Sequence, residues 1–92
     1  MKEEDLLKLV AYINISTYRL KVLESIGDEI KMPKTISKDI NIRINHVSKV
    51  LSELKEKEAI ECINEDMSKG RLYRTTDLGK NVLTFLKSGK IK

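Results

Sequence analysis

The stretch that decides the fold is "PKTISKDINIRINHVSKVLSELKEKE", residues 33–58. Pro33 opens a short helix, because proline at the first helical position gives up no hydrogen bond that the helix would use. Ile36 and Ile40 fall on one face, and Asn41 is a residue that can take the left-handed conformation ending such a segment. A few residues later a second helix begins near Ile44. Its Val47, Val50, Leu51 and Leu54 recur at i, i+3, i+4 and i+7, and it runs to about Glu58. Two helices joined by so tight a turn cross at a large angle, which is helix-turn-helix geometry.

Working outward toward the N-terminus, Leu6, Leu9, Val10 and Ile13 predict an amphipathic helix over residues 3–13. Asn14-Ile15-Ser16 interrupts it. Ser16 is a suitable N-cap for the next helix, which carries Leu20, Val22, Leu23 and Ile26 and stops at Gly27. Toward the C-terminus the period changes after Ala59. Ile60 and Ile63, then Leu72 and Tyr73, flank a polar Asn64–Gly70 loop and read as a hairpin, with Gly70 supplying a backbone position that other residues resist. Ile30, just ahead of Pro33, is placed to add a third short strand. Thr75 or Thr76 caps a last helix with Leu78, Val82, Phe85 and Leu86 on one stripe, followed by a frayed end over Ser88–Lys92.

The expected class is therefore mainly α (α+β): a winged helix-turn-helix with a two- to three-stranded β-wing and flanking N- and C-terminal helices. Its 92 residues allow one domain. Residues 1–15 form the N-terminal helix, 16–75 the helix-turn-helix and wing, and 76–87 the C-terminal helix.

Composition narrows the function classes. At 40% hydrophobic and 35% charged the chain can bury a core without being disordered. Its few aromatics (Tyr12, Tyr18, Tyr73 and Phe85) leave that core to Ile, Leu and Val. No apolar run has the length of a membrane helix, and no signal-peptide pattern opens the chain. Cys62 stands alone, which excludes an internal disulfide and points to a reducing cytoplasm. No Ser/His/Asp set, phosphate-cradling glycine loop or carboxylate dyad stands out, so an enzyme is not expected and no cofactor is implied. His46 and Cys62 together fall short of the four ligands of a structural zinc site, so no metal is expected. In an alternating strand, Cys62 reads as a small buried hydrophobe or a mildly exposed thiol.

Charge is unevenly spread over the net +4. Residues 32–57 carry a net +3 and residues 69–92 a net +6, separated by a net −4 over residues 58–68. Positive charge thus gathers on the helix-turn-helix and on the far side of the hairpin.

Residues 18–83 resemble the winged helix-turn-helix transcriptional regulators of the ArsR/MarR type, especially small archaeal ones. The resemblance is carried by "YRLKVLESI" (18–26), "ISKDINIRINHVSKVLSELKEKEAIE" (36–61) and "GRLYRTTDLGKNVL" (70–83), in that order and spacing. It implies binding of double-stranded DNA, usually as a homodimer, with the helix from Ile44 in the major groove. Two departures stand out. The paired-cysteine motif of the metal-sensing members is missing from the recognition helix, and 92 residues leave little room for the ligand-enclosing helices of the drug-sensing members. Any small-molecule effector stays open.

With the stripe of the recognition helix buried, Asn45, His46, Ser48, Lys49 and Ser52 point outward, with Arg43 at the entrance. Asn can pair with adenine, Lys and Arg with guanine or phosphate, and Ser with either. In the wing, Lys69, Arg71 and Arg74 are placed to follow the phosphates, while Glu65 and Asp66 in the same loop oppose that role. Glu53, Glu56 and Glu58 read as a solvated flank paired with Lys55 and Lys57. The reading is a sequence-specific DNA-binding regulator, a repressor, on a short inverted repeat. The rival is a winged helix used for protein–protein contact, in which these charges only solvate the surface.

The N-terminal helix lies outside the three-helix core that a winged helix needs, yet it has a full apolar stripe. Leu6, Leu7 and Val10, with Leu83 and Leu86 of the last helix, are therefore expected to pair two subunits. The alternative is that this helix packs back on its own domain.

Overall fold

In the computed structural model, which describes residues 3–88, the apolar periodicities become five helices and a two-stranded sheet. The order is α1 (Glu3–Asn14), α2 (Thr17–Ile26), α3 (Pro33–Ile40), α4 (Ile44–Glu56), β1 (Ile60–Cys62), β2 (Tyr73–Thr75) and α5 (Asp77–Lys87). This is the winged-helix order. Residues 89–92 of the expected frayed end lie outside the described residues.

Local chemistry sets the boundaries. The Ser16 hydroxyl accepts the Arg19 amide at 3.3 Å and so caps α2. At its other end Gly27 sits at φ +50 and returns its own amide to the Leu23 carbonyl. Pro33 holds the first turn of α3, and Asn41 ends it in the left-handed region at φ +55. The Ser37 hydroxyl donates to the Ile42 carbonyl and fixes the tight turn into α4.

α4 closes two residues earlier than its stripe suggests, through an arrangement that apolar spacing cannot reveal. Glu58 takes a left-handed φ of +61. Its amide reaches back to the Lys55 carbonyl and that of Ala59 to the Leu54 carbonyl, both at 2.9 Å. This is the Schellman pattern, with glutamate where glycine is usual.

β1 and β2 pair antiparallel, with Ile60 opposite Thr75, Glu61 opposite Arg74 and Cys62 opposite Tyr73. The expected third strand shrinks to a single bridge. Lys31, not Ile30, exchanges both backbone hydrogen bonds with Tyr73, at 3.0 and 2.9 Å, and the Ile30 side chain is left exposed. Pro33 has no amide to extend the ladder, and the chain turns into α3 at once.

Thr76 rather than Thr75 caps α5. Its hydroxyl accepts the Gly79 amide at 3.1 Å and donates to the Glu58 carbonyl at 2.6 Å, tying the start of α5 to the end of α4.

The buried core is aliphatic, as composition requires, with Tyr73 its one aromatic. The four stripe residues of α4 are all in it, beside Val22, Leu23 and Ile26 of α2 and Ile36 of α3. α1 corrects the expectation that it stands outside. Val10 and Ile13 are wholly buried and Leu9 nearly so, and α1 packs against both α2 and α5. Burying such side chains stabilises by about 1.5–3 kcal/mol each, so the helix belongs to its own subunit's core. No helix among the described residues is long and apolar enough to cross a membrane.

Candidate nucleic-acid interface

The buried stripe of α4 dictates what its other face presents. At about 100° per residue, Asn45, Ser48, Lys49 and Ser52 fall together opposite Val47, Val50, Leu51 and Leu54, and all four are exposed. Arg43 is the N-cap residue and is exposed too. No side chain caps the helix there; the Arg43 carbonyl takes the His46 amide at 3.0 Å, and the Ile44 and Asn45 amides are left to an anion.

His46 lies on one flank of this face. Its ring stands edge-on to that of Tyr18 in α2, with centroids 5.7 Å apart and planes at 86°. Tyr18 is 43% exposed. It was not legible as a site residue because only the packing of α2 on α4 brings it to the flank.

The opposite flank faces the hairpin. Between α4, the start of α3 and the loop runs a groove of about 520 Å³, onto which Ser48, Ser52, Lys69 and Arg71 open. Lys34, in the first turn of α3, lines it as well and adds a cation beyond those expected from sequence. The structure thus gathers Ser48 and Ser52 of the helix with Lys69 and Arg71 of the loop.

The three wing cations differ in what they do. Lys69 is exposed and has no ion-pair partner among the described residues. Arg71 turns inward onto the backbone of its own loop, its Nε donating to the Met67 carbonyl at 2.8 Å. Arg74 is a correction to the expected set. It points to the outer face of the hairpin and pairs with Glu61 at 2.8 Å, directly across the strands. It lines a different hollow, with Glu58, Asp77 and Lys80, and does not open on the groove.

The acidic residues are also sorted. Glu65 is held by the Lys55 ammonium of α4, which keeps the Glu65 carboxyl below the usual carboxylate range and raises the Lys55 amine. One of the two charges expected to repel phosphate is therefore neutralised in place, while Asp66 is exposed without an ion-pair partner among the described residues. Glu53 departs from the expected Lys55/Lys57 pairing and takes Arg19 of α2 instead, at 3.3 Å.

Of the residues expected to pair two subunits, Val10 (0% exposed) and Leu83 (9%) are in the core of this chain and cannot face a partner. Leu6 and Leu86 are partly buried against that core. Leu7 remains 43% exposed, in line at a spacing of four with exposed Ala11 and with Ile15, which is 78% exposed.

No family model matches the chain, and no curated protein matches it in sequence. Solved structures do match in shape. TubR bound to 24 bp of tubC, from Bacillus thuringiensis serovar israelensis pBtoxis, superposes with a TM-score of 0.80 at 12% identity, over 91% of this chain and 94% of that one. A MarR family transcription regulator superposes with a TM-score of 0.71 at 14% identity, over 92% of this chain and 58% of the other. At these identities the likeness is one of fold.

Proposed function

We propose that this chain is a single winged-helix domain that binds double-stranded DNA as a cytoplasmic transcription regulator, with α4 in the major groove and the hairpin loop on the phosphate backbone. The observation that carries the reading is the α4 face itself. Asn45, Ser48, Lys49 and Ser52 are exposed together, beside an uncapped helix N-terminus and across a groove from Lys69. A neighbour with nearly the same extent of fold is a DNA complex, which supports the reading.

The roles divide by chemistry. Asn45 and Lys49 read base edges, with His46 steadied by Tyr18 at the flank. Arg43 and Lys69 contact phosphates, and Ser48 and Ser52 complete the groove wall. A second copy, docked on the Leu7–Ala11–Ile15 line, would present two such faces to an inverted repeat.

Selection of bound sequences from random duplex DNA tests the proposal and returns the site. Asn45→Ala should then cost ~1–3 kcal/mol and relax preference at one position. Arg43→Ala should weaken all sequences about equally. Recovery of no enriched sequence would remove the claim of specific readout.

A further inference from the structure

The ladder of the hairpin ends early, and side chains hold what lies beyond it. After the Cys62–Tyr73 pair one more backbone bond forms, from the Ile63 amide to the Leu72 carbonyl at 2.9 Å. From there Asn64 replaces the strand. Its Oδ1 accepts the Leu72 amide at 2.8 Å, and its Nδ2 donates to the Gly70 carbonyl at 3.2 Å. Arg71 bridges the other side, donating from Nε to the Met67 carbonyl at 2.8 Å and from Nη2 to the Glu65 carbonyl at 3.4 Å. The Glu65 carboxylate is tied to Lys55 of α4, which anchors the loop to the recognition helix. Gly70, at φ +68, makes the reversal that lets Arg71 turn back.

We propose that Asn64 and Arg71 are positioning residues that build the wing loop before DNA arrives, leaving Lys69 as the loop's backbone-contacting cation. The proposal rests on the DNA-binding reading above and reassigns Arg71 from phosphate contact to internal brace. A loop already built loses less conformational freedom on binding than one ordered by its ligand. Arginine suits the brace because its planar fork reaches two carbonyls at once. Lysine has the same charge but presents a compact ammonium without that fork.

The test compares Arg71→Lys, Asn64→Ala and Lys69→Ala in the full chain, with amide hydrogen exchange and with binding to a mixed-sequence duplex of about three helical turns. Without DNA, Arg71→Lys and Asn64→Ala should lose protection of the Met67 and Leu72 amides, which are hydrogen-bonded within the loop, while Lys69→Ala keeps it. All three alter exposed or half-buried loop positions, and unchanged exchange in α2 and α4 verifies that the fold is intact. With DNA, Arg71→Lys should lose affinity on the order of tenfold despite its conserved charge, through the freedom the loop regains. Lys69→Ala should lose affinity and reduce the salt slope by about 0.9. Arg71→Lys with full loop protection, or with unmutated affinity, overturns the proposal. If the unmutated protein binds no duplex, the DNA reading fails by itself, and exchange alone decides whether Asn64 and Arg71 build the loop.

Discussion

The Arg19 guanidinium of α2 grips the Glu53 carboxylate of α4 with two nitrogens, Nε at 3.3 Å and Nη2 at 3.4 Å. Its remaining nitrogen donates to the Tyr12 carbonyl of α1 at 2.9 Å, and its plane lies 3.8 Å over the Tyr12 ring. Three helices meet at one side chain, and one of them is the proposed recognition helix. Arg19→Ala should destabilise the protein by ~1–3 kcal/mol, because Glu53 and the Tyr12 carbonyl lose their partner in a half-buried place. Arg19→Lys should recover only part of this, lacking the fork and the stacking face. Denaturant unfolding midpoints check both.

Close approach at Gly79 locks α5 onto the hairpin. A Cβ there would lie 2.1 Å from the Ala59 carbonyl oxygen and 2.6 Å from Thr75 Cγ2. Backbone stands in the way, so a rotamer change cannot relieve the clash. Gly79→Ala should cost ~1–3 kcal/mol or more, against the roughly 0.8–1 kcal/mol in its favour that helix propensity alone would give. A thermal midpoint equal to that of the unmutated protein would contradict the packing described.

Two ion pairs make stability depend on pH at the acid end. Lys31, at 2.6 Å, holds the Asp39 carboxyl below its ordinary range, and Lys55 does the same to Glu65. A carboxyl lowered by folding stabilises above its unfolded pKa, and the contribution is lost as pH falls through the folded value. Stability should therefore decline from about pH 5 downward, the more steeply for these two groups. Asp39→Asn with Glu65→Gln should flatten that decline in unfolding midpoints measured across the acid range. At the alkaline end the sign reverses: the raised Lys55 amine contributes fully below the ordinary lysine value and loses that contribution as pH rises through its own raised one.

The exposed Leu7–Ala11–Ile15 line leads to a prediction about assembly. Leu7→Glu with Ile15→Glu should leave the core intact, since neither side chain is buried, and should abolish self-association in sedimentation. The unmutated protein should sediment as a dimer at tens of micromolar. Leu83→Glu is the contrasting variant: it places a charge in the core and should unfold the chain rather than divide a dimer.

Much of this fold was legible because its devices are local. Ser16, Gly27, Pro33, Asn41 and Thr76 act on their own helix ends, and the stripe of α4 needs only its own spacing to be recognised. What escaped depends on partners far along the chain. Arg19 and Glu53 are 34 residues apart, and no spacing rule pairs them. Arg74 and Arg71 look alike in sequence, yet the pleat sends one to Glu61 and the turn at Gly70 folds the other onto its loop. α1 has a related limit: an apolar stripe says that a face is covered, not whether its own chain or another covers it.

The central claim is that α4 and the wing hold duplex DNA, and the salt dependence of binding tests it most directly. Affinity of the unmutated protein for its selected duplex should fall linearly on a log–log plot as salt rises, with a slope of about −0.9 for each phosphate contacted. Lys69 and Arg43 should each account for part of that slope. Binding that holds steady across the salt series, as an apolar contact with another protein would, contradicts the account.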